Sequence, residues 1–269
     1  MCTDKEYDMH LVVCIKQVPN TTEIKIDPQT NTLVREGVES IINPFDLYAI
    51  EEAIRLKEKY GGKVTAISMG PSQVESALRE AVSMGVDDII LLSDKRFAGA
   101  DTWATSLTLA TAIKKLGDYD LILFGQQAID GDTAQVGPGV ATHLVLPQTC
   151  FVRKIEKVQE KSITVERLME DGYDTVEMKL PSVITVVKEI NVPRLPSLRG
   201  KRVAKSTQLT VWNADDLELP AEEIGLNGSP TQVVKIFSPD LEKEGEIHEL
   251  PAEEAVEILY KKIMKLKNQ

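Results

Sequence analysis

The sequence predicts an α/β protein with a doubly wound, mostly parallel sheet, an added hairpin and an extended C-terminal arm. Short runs that are almost continuously Val, Ile and Leu indicate strands buried on both faces, as in parallel sheets. Amphipathic stretches separate these runs at intervals of roughly 25–35 residues, which suits right-handed strand–helix–strand crossovers. The predicted strands are His10–Ile15, Lys63–Ser68, Asp88–Ser93 and Asp120–Phe124.

Three helices are predicted between these strands, each from a capping residue at its start and a glycine at its end. A capping side chain satisfies N–H groups that the first helical turn leaves unpaired, and glycine readily adopts the left-handed conformation that ends a helix. The signals are Asp46 with Gly61–Gly62, the S-x-x-E capping box Ser72–Glu75 with Gly85, and Asp101 or Thr102 with Gly117.

Two hairpins and one further strand complete the predicted sheet. Alternation with period two indicates the hairpin strands, and a glycine at residue 172 supplies the tight turn of the second hairpin. The segments are Glu23–Asp27 with Asn31–Arg35 at the sheet edge, Lys161–Arg167 with Asp174–Lys179, and the buried strand Pro181–Val187.

The chain is predicted to divide at residue 190. Residues 1–190 form the α/β domain, and residues 191–269 form the arm and a C-terminal helix. Residues 191–235 contain repeated prolines and little periodicity, so we expect an extended arm that lies on a partner, with a disordered tail as the alternative. Pro251–Lys267 is a predicted helix, because acids occupy its first turn and lysines its last turns, matching the helix dipole.

Composition excludes several classes of function. The 269 residues carry a formal charge of −11, which repels phosphate backbones and argues against nucleic-acid binding. The three cysteines and three histidines are scattered, which argues against a metal centre and leaves no visible nucleophile–base set. No apolar run approaches the ~20 residues of a membrane span, and the polar N-terminal stretch does not resemble a signal peptide. We therefore expect a reduced, cytoplasmic protein without membrane insertion.

The densest group of glycine and polar residues is Gly125–Pro138, which follows a buried strand and precedes a helix. Open α/β sheets bind ligands at this position, beyond the carboxyl ends of the strands. Free amides at residues 133–136 would attract a phosphate, and Gly131 allows close approach of the backbone. The same stretch also fits a tight loop in which Asp130 and Asp132 act as helix caps. It is neither a Walker A loop nor a G-x-G-x-x-G motif.

Three further loops are predicted to leave the same edge of the sheet. They are Asn43–Asp46, Ser68–Pro71 and Phe97–Thr102. Each alone fits a cap or a turn, but together the four loops can wall one crevice suited to an adenine nucleotide. Asp101 and Thr102, at a helix start, fit either a ribose or pyrophosphate contact or a simple N-cap.

A basic segment, Arg194–Arg202, interrupts the acidic chain. Leu198 is expected to be exposed in it, between Pro196 and Gly200. An exposed leucine among basic residues suits docking to an acidic partner, although a solvated linker has the same composition.

The sequence resembles the beta subunit of electron transfer flavoproteins across essentially its whole length. The resembling blocks are Val13–Pro19, Asn43–Asp46, Glu51–Ala53 with Leu56–Lys57, Ser68–Pro71, Gly125–Pro138, and Val165–Arg167 through Leu180–Thr185. The resemblance implies a heterodimer with an alpha subunit that carries FAD. It also implies that the beta subunit has no catalytic residue or metal of its own, and that the arm and C-terminal helix pack on the alpha subunit.

Within this family, the nucleotide of the beta subunit is AMP in respiratory members and a second FAD in electron-bifurcating members. Three segments resemble the bifurcating branch: Gly99–Thr105, Asp130–Pro138 and Ser229–Val233. The resemblance therefore implies FAD, with AMP as the alternative. The FAD would accept a hydride from NADH, passing one electron to ferredoxin or flavodoxin. The other would pass through the alpha-subunit FAD to a flavin-dependent dehydrogenase of the acyl-CoA or lactate type.

The resemblance also implies roles for particular residues. The adenosine would be lined by Cys14, Asn43, Pro44, Phe45, Asp46 and Met69, with Asp101, Thr102 and Thr105 added for FAD. The phosphates would be held by the loop that contains Gly125, Gln126, Gln127, Asp130, Gly131, Asp132, Thr133, Ala134, Gln135 and Val136. The docking residues would be Leu198, Arg199 and Lys201.

Overall fold

The structure, a computed structural model, describes residues 7–20, 40–234 and 247–267. The chain forms two compact units, residues 1–234 and residues 235–269, which are described separately. The edge hairpin predicted at residues 23–35 lies outside the described residues.

A large sheet forms the centre of the first unit. Among the described residues its strands are β1 (Met9–Cys14), β4 (Gly62–Met69), β5 (Asp88–Leu92), β6 (Leu121–Gly125), β7 (Gln148–Gln159), β8 (Ser162–Met169), β9 (Gly172–Lys179), β10 (Ser182–Val186) and β11 (Leu209–Trp212). Strands β2 (Gln17–Pro19) and β3 (Ser40–Ile42) form a separate antiparallel pair. The order across the sheet is β11-β5-β4-β1-β6-β10-β7-β8-β9. Pairing is parallel from β11 to β7 and antiparallel from β7 to β9.

Helices cover both faces of the sheet. They are α1 (Pro44–Tyr60), α2 (Glu75–Met84), α3 (Thr102–Leu116), α4 (Val136–Leu144) and α5 (Leu198–Ser206). Alternating side chains of β1 face opposite ways: Leu11 and Val13 join the core under α1 and α2, and Val12 and Cys14 join the core under α3 and α4. The continuous aliphatic runs are therefore buried on both faces, and the predicted doubly wound α/β fold is confirmed.

The order of strands reverses beside β1. The chain passes from β1 to β4 and β5 on one side, then returns through α3 to β6 on the other side. This is a topological switch point, where the loops that follow β1 and β6 diverge and leave a crevice at the carboxyl ends of the strands. The sheet therefore positions the Gly125–Pro138 loop directly beside the loop that follows β1.

The second hairpin, the strand near residues 181–187 and the C-terminal helix are also confirmed. Strands β8 and β9 pair antiparallel around Gly172, and β10 lies buried between β6 and β7. In the second unit, helix α6 spans Ala252–Lys267, with Glu253 and Glu254 in its first turn. No helix in the described ranges is long and apolar enough to cross a membrane.

Two predicted caps are wrong. Helix α1 begins at Pro44 after Asn43, so Asp46 lies inside its first turn and is buried instead of capping it. The capping box at residue 72 is also not formed, because Ser72–Val74 is a 3₁₀ turn and α2 begins at Glu75 without a side-chain cap. Glu75 instead accepts a hydrogen bond at 2.7 Å from Nε of Arg79, one turn later.

The extended arm predicted over residues 191–235 is wrong in its central part. Residues 198–206 form helix α5, whose start is capped by Ser197, and β11 adds a parallel strand beside β5. Arg79 on α2 donates hydrogen bonds to the carbonyls of Ala204 and Thr207, which fixes the end of α5. The segment is therefore packed on the α/β unit through tertiary contacts that its proline content did not reveal.

The central strand β6 should be sensitive to truncation. Leu123 is fully buried between two layers of side chains, so Leu123→Ala should lower the free energy of unfolding by about 2–5 kcal/mol. The matched change Leu195→Ala, at a side chain that is 87% exposed, should change it by less than about 0.5 kcal/mol. Urea unfolding measures both; equal effects would contradict the assigned burial.

Candidate functional site

A buried carboxylate joins the two loops at the switch point. Asp46 accepts hydrogen bonds from the backbone N–H of Lys16 at 2.7 Å and from Nδ2 of Asn43 at 3.0 Å, and a third from the N–H of Gly125. Burial raises the pKa of Asp46 to about 7, against the opposing effect of these three donors. The carboxylate thus links the chain after β1, the first turn of α1 and the end of β6.

Asn43 extends this connection along the loop that follows β6. Its Nδ2 also donates to the carbonyl of Gln127 at 2.8 Å, and its Oδ1 accepts from the N–H of Ile129 at 3.1 Å. Asn43 is 1% exposed, so these hydrogen bonds are sheltered from water. The side chain acts as a bridge that fixes the course of the loop.

Gly125 permits the close approach that this arrangement needs. A β-carbon at residue 125 would lie 2.6 Å from the carbonyl carbon of Phe45 and 2.8 Å from the amide nitrogen of Asp46. Both atoms are backbone, so a larger residue would force α1 away from β6. The glycine is therefore required by packing at the base of the site.

The loop beyond Gly125 presents unpaired backbone amides. Asp132 and Ala134 have left-handed backbone conformations, with φ of 53° and 54°. In the described part of the chain, the N–H groups of residues 133–136 find no acceptor, and helix α4 begins at Val136. Free amides at a helix start attract anions, and the helix dipole adds to the attraction.

The two aspartates of this loop do not cap α4, contrary to the alternative drawn from the sequence. Asp130 accepts a hydrogen bond at 2.6 Å from Nζ of Lys16, and Asp132 contacts the side-chain amide of Gln127. The N-cap of α4 is Gln135, which makes no side-chain capping hydrogen bond. The loop is thus held to its neighbours while its amides remain available.

Asp101 is an N-cap that also binds a distant segment. Its Oδ1 accepts from the N–H groups of Trp103 and Ala104, and its Oδ2 accepts from the N–H and Oγ1 of Thr231, at 2.8–3.1 Å. The N–H of Asp101 donates to Oγ of Ser229. Burial acts to raise the pKa of Asp101, but its hydrogen bonds outweigh burial and lower it. Two of the three segments that resemble the bifurcating branch are therefore in direct contact.

The start of α3 also contacts the start of α4. Oγ1 of Thr102 donates to Oε1 of Gln135 at 2.9 Å, and Thr105 lies half-buried one turn further along α3. Oγ of Ser106 lies 3.4 Å from the carbonyl of Val136. The Asp101–Thr105 segment and the phosphate loop predicted from sequence thus form one continuous wall.

The remaining predicted lining residues lie at neighbouring strand ends. Cys14 ends β1 and is buried; burial, with the nearby Asp46 carboxylate, raises the pKa of its thiol, so it stays protonated. Met69 ends β4, and its loop is tied to the β1 loop because Oγ of Ser68 donates to the carbonyl of Ile15 at 2.8 Å. Pro44 and Phe45 lie in the first turn of α1 and are half-buried.

The three predicted docking residues are separate from this edge. Leu198, Arg199 and Lys201 are exposed in the first turn of α5, which lies against α2. Their assignment to docking and the assignment of the other residues to nucleotide binding stay predictions.

Sequence reasoning missed a groove that continues from the loop. It has a volume of about 830 Å³ and is lined by Gln126, Phe151, Arg167, Leu168, Met169, Glu170, Asp171, Gly172, Tyr173, Asp174 and Val187. Arg167 has a buried Nε without a hydrogen-bond partner in the described residues. The sequence gives no pattern that links the hairpin turn residues 168–174 to the loop that contains Gln126, so the groove could not be predicted from it.

No group of three His, Cys, Asp or Glu side chains suited to a metal ion occurs in the described ranges.

These features define a doubly wound α/β protein with a candidate nucleotide site at its switch point, and comparison with known proteins gives the family. Residues 30–217 match the family model described as electron transfer flavoprotein domain. The chain is 53% identical over 256 residues to the electron transfer flavoprotein subunit beta of Thermoanaerobacterium thermosaccharolyticum, covering 95% of this chain and 98% of that protein. It is 49% identical over 255 residues to the subunit of the same name from Clostridium acetobutylicum, with coverage of 95% and 98%.

A further relative is named for a larger complex. The chain is 50% identical over 240 residues to the caffeyl-CoA reductase-Etf complex subunit CarD of Acetobacterium woodii, covering 89% of this chain and 91% of that protein. The chain therefore belongs to the electron transfer flavoprotein family, as a beta subunit that serves electron transfer. The resemblance drawn from the sequence is confirmed.

The raised pKa of Asp46 predicts a distinct pH dependence of stability. In the unfolded chain this carboxyl loses its proton near its ordinary pKa of 3.8, whereas the folded protein holds the proton until about pH 7. Because the folded state binds more protons in that window, the contribution of Asp46 to the free energy of unfolding falls as pH rises from about 4 to about 7. Urea unfolding at several pH values in this range measures the free energy of unfolding of wild type and of Asp46→Asn. This free energy should fall more steeply with pH in wild type than in Asp46→Asn, and equal pH dependence in the two proteins would contradict the raised pKa of Asp46.

Proposed function

We propose that this beta subunit binds FAD at the carboxyl edge of its sheet and serves electron bifurcation together with an alpha subunit. The observation that carries the proposal is the Gly125–Val136 loop, which is fixed at the switch point by Asn43 and Asp46 and leads unpaired amides into helix α4. A pyrophosphate is the group that suits this arrangement, because amides and a helix start offer partial positive charge without a fixed cation.

The residues present fit such a group. A β-carbon at Gly131 would meet nothing within 4 Å, so the loop leaves open space at its tip. The nearby acid Asp130 is paired with Lys16, which reduces its repulsion of a phosphate. The proposed roles are that Asn43 and Asp46 fix the base of the site, that the amides of residues 133–136 bind phosphate, and that Asp101 and Thr102 position the neighbouring wall.

The groove beyond Gln126 favours FAD over AMP. Its volume of about 830 Å³ lies within the ~300–1,000 Å³ of small-molecule sites, and it starts at the predicted phosphate loop. An adenylate alone would not need this extension, whereas a dinucleotide has a second half to accommodate. One cationic residue, Arg167, and two aromatic residues, Phe151 and Tyr173, line the groove. When bound, FAD would supply both hydride and one-electron chemistry.

The proposed exchange partners follow from the family. NADH would be the hydride donor, ferredoxin or flavodoxin the low-potential acceptor, and a flavin-dependent dehydrogenase the high-potential acceptor. The relative CarD is named as part of a caffeyl-CoA reductase-Etf complex, which supports a dehydrogenase of the acyl-CoA type over one of the lactate type. The alternative, a structural AMP, uses only the part of the site between Asn43 and Val136.

Leu198 is proposed as the docking residue for the dehydrogenase. Its side chain is 83% exposed at the start of α5, and Arg199 and Lys201 are exposed beside it. An apolar pocket with an acidic rim would complement this surface.

The functional test is NADH-driven reduction of ferredoxin by the αβ complex. Bifurcation requires that ferredoxin be reduced only when the dehydrogenase and its oxidised substrate are also present. Ferredoxin reduction that proceeds without them, or fails with them, would reject bifurcation and leave the structural AMP alternative.

Gly131→Asp should expel the nucleotide from the beta subunit. The new carboxylate would crowd and repel the pyrophosphate at the tip of the loop, whereas Gly131→Ala adds a methyl group into open space. We expect nucleotide occupancy to fall at least ~10-fold in Gly131→Asp, which corresponds to about 1.4 kcal/mol, and to persist in Gly131→Ala. Occupancy is measured on the purified αβ complex after denaturation; unchanged occupancy in both variants would reject the assigned phosphate position.

Leu198→Ala should slow electron transfer to the dehydrogenase and leave bound nucleotide unchanged. Loss of an anchor in an apolar pocket typically costs about 1–2 kcal/mol, which is roughly a 5–30-fold decrease in kcat/KM for the dehydrogenase. Val145→Ala, at an exposed side chain after α4, is the control. Nucleotide loss in Leu198→Ala would instead indicate a structural role for this leucine.

A further inference from the structure

We propose that Arg194 is the positioning residue of the docking segment, here defined as residues 192–201. The inference rests on the proposed docking role of Leu198 and adds the means by which the segment is held in a form ready to bind. Its basis is an ion-pair clamp between Arg194 and two glutamates of α1.

The clamp uses most of the hydrogen-bonding capacity of the guanidinium. Nε and Nη2 of Arg194 donate to the two carboxylate oxygens of Glu51 at 2.8 and 3.1 Å. Nη1 and Nη2 donate to the two oxygens of Glu58 at 2.6 and 3.0 Å. The backbone N–H of Arg194 also donates to Glu51 at 3.1 Å. Glu51 and Glu58 lie seven residues apart, two turns along one helix face, so a planar guanidinium can bridge them.

The clamp is partly sheltered from solvent. Glu51 is 5% exposed, and Arg194 is its bidentate partner. Close by, Nδ2 of Asn191 donates to the carbonyl of Tyr48 and to the carboxylate of Glu52, each at 3.0 Å. Two consecutive carboxylates of α1 therefore hold the chain immediately before the docking residues.

A second anchor lies just beyond the clamp. The N–H of Ser197 donates to the carbonyl of Ser83 on α2 at 3.2 Å, and Oγ of Ser197 accepts from the N–H of Gly200. Gly200 lies so close to Ser83 that a β-carbon there would be 2.9 Å from its Cα. The chain from Arg194 to Ser197 is thus fixed at both ends, to two different helices.

The docking segment exposes three large aliphatic side chains. Val192, Leu195 and Leu198 are 88%, 87% and 83% exposed. Exposed aliphatic residues that lie close together in sequence favour an interaction site, and fixing the backbone around them beforehand reduces the entropy lost on binding.

Charge distinguishes positioning from direct recognition. The positive charge of Arg194 is matched by Glu51 and Glu58, so Arg194 offers little attraction to an external partner. By contrast, the cations of α5 are exposed to solvent; they are Arg199, Lys201, Arg202 and Lys205. The partner that fits is therefore a flavin-dependent dehydrogenase with an apolar pocket and an acidic rim, and Arg194 acts on it only through Leu198 and its neighbours.

Arg194→Lys tests the clamp, because lysine keeps the positive charge but lacks the planar guanidinium that donates to Glu51 and Glu58 at the same time. The substrate of the assay is an acyl-CoA dehydrogenase or a lactate-type flavoenzyme, whichever the wild-type αβ complex reduces. We expect KM for the dehydrogenase to rise ~10-fold with kcat and nucleotide content unchanged, and amide hydrogen exchange at residues 195–201 to accelerate. Glu58→Gln removes the charge of the more exposed partner of Arg194. It should raise KM for the dehydrogenase and accelerate exchange at residues 195–201, but by less than Arg194→Lys does.

The matched control is Arg96→Lys. Arg96 also clamps two carboxylates, those of Asp94 and Asp215, but contacts no part of the docking segment. It should leave KM and exchange at residues 195–201 unchanged. In the double variant Arg194→Lys with Leu198→Ala, kcat/KM for the dehydrogenase should fall by less than the product of the two single effects, because both changes affect the same docking segment.

The outcomes separate the clamp from the docking hypothesis. Unchanged exchange at residues 195–201 in Arg194→Lys would overturn the clamp. Faster exchange without a change in KM would show that the clamp holds the segment but would overturn its role in positioning the docking residues. If Leu198→Ala leaves transfer to the dehydrogenase unaffected while Arg194→Lys raises KM, Arg194 acts directly and the positioning role is rejected. If wild type reduces neither dehydrogenase, the docking part of the proposed function fails, and the exchange measurement alone decides the clamp.

Discussion

The buried carboxylate of Asp46 is the interaction on which the rest of the site depends. It receives donors from Lys16, Asn43 and Gly125, so it holds the chain after β1, the first turn of α1 and the end of β6 at one point. A parallel sheet alone creates a crevice where strand order reverses, but it does not determine the path of the loops around that crevice. The contacts of Asp46 and Asn43 determine the path of these loops. They require that the carboxyl group of Asp46 be buried, although burial disfavours its charged form.

In the proposed function, the redox chemistry is supplied by a bound nucleotide. The loops at the carboxyl edge offer amides, hydroxyls and a helix start, and these are the groups that would bind and orient the proposed nucleotide. Docking is assigned to a different element, α5 with its preceding segment, which is anchored to α1 and α2. Helix α1 would contribute to both proposed roles, because its first turn carries Asp46, and further along Glu51 and Glu58 hold Arg194.

Much of the fold could be predicted because its signals are local or periodic. The aliphatic runs of β1 and β6 report burial on both faces, and Asp101 caps α3 as expected. The failures share one cause, which is tertiary contact between residues distant in sequence. Asp46 is a residue type that commonly caps helices, yet its partners after β1 and β6 decide its role. Helix α5 depends on Arg79 and on the Ser83 carbonyl, and the groove at Gln126 depends on a hairpin 40 residues or more downstream; no pattern within those segments indicates either.

The central claim is that the edge organised by Asp46 holds a dinucleotide that extends into the groove. Its most direct test is the number and kind of nucleotides released when the purified αβ complex is denatured, measured by chromatography and mass spectrometry. The account predicts two FAD per αβ complex and no AMP. One FAD together with one AMP would contradict it, and would limit the site to the segment between Asn43 and Val136.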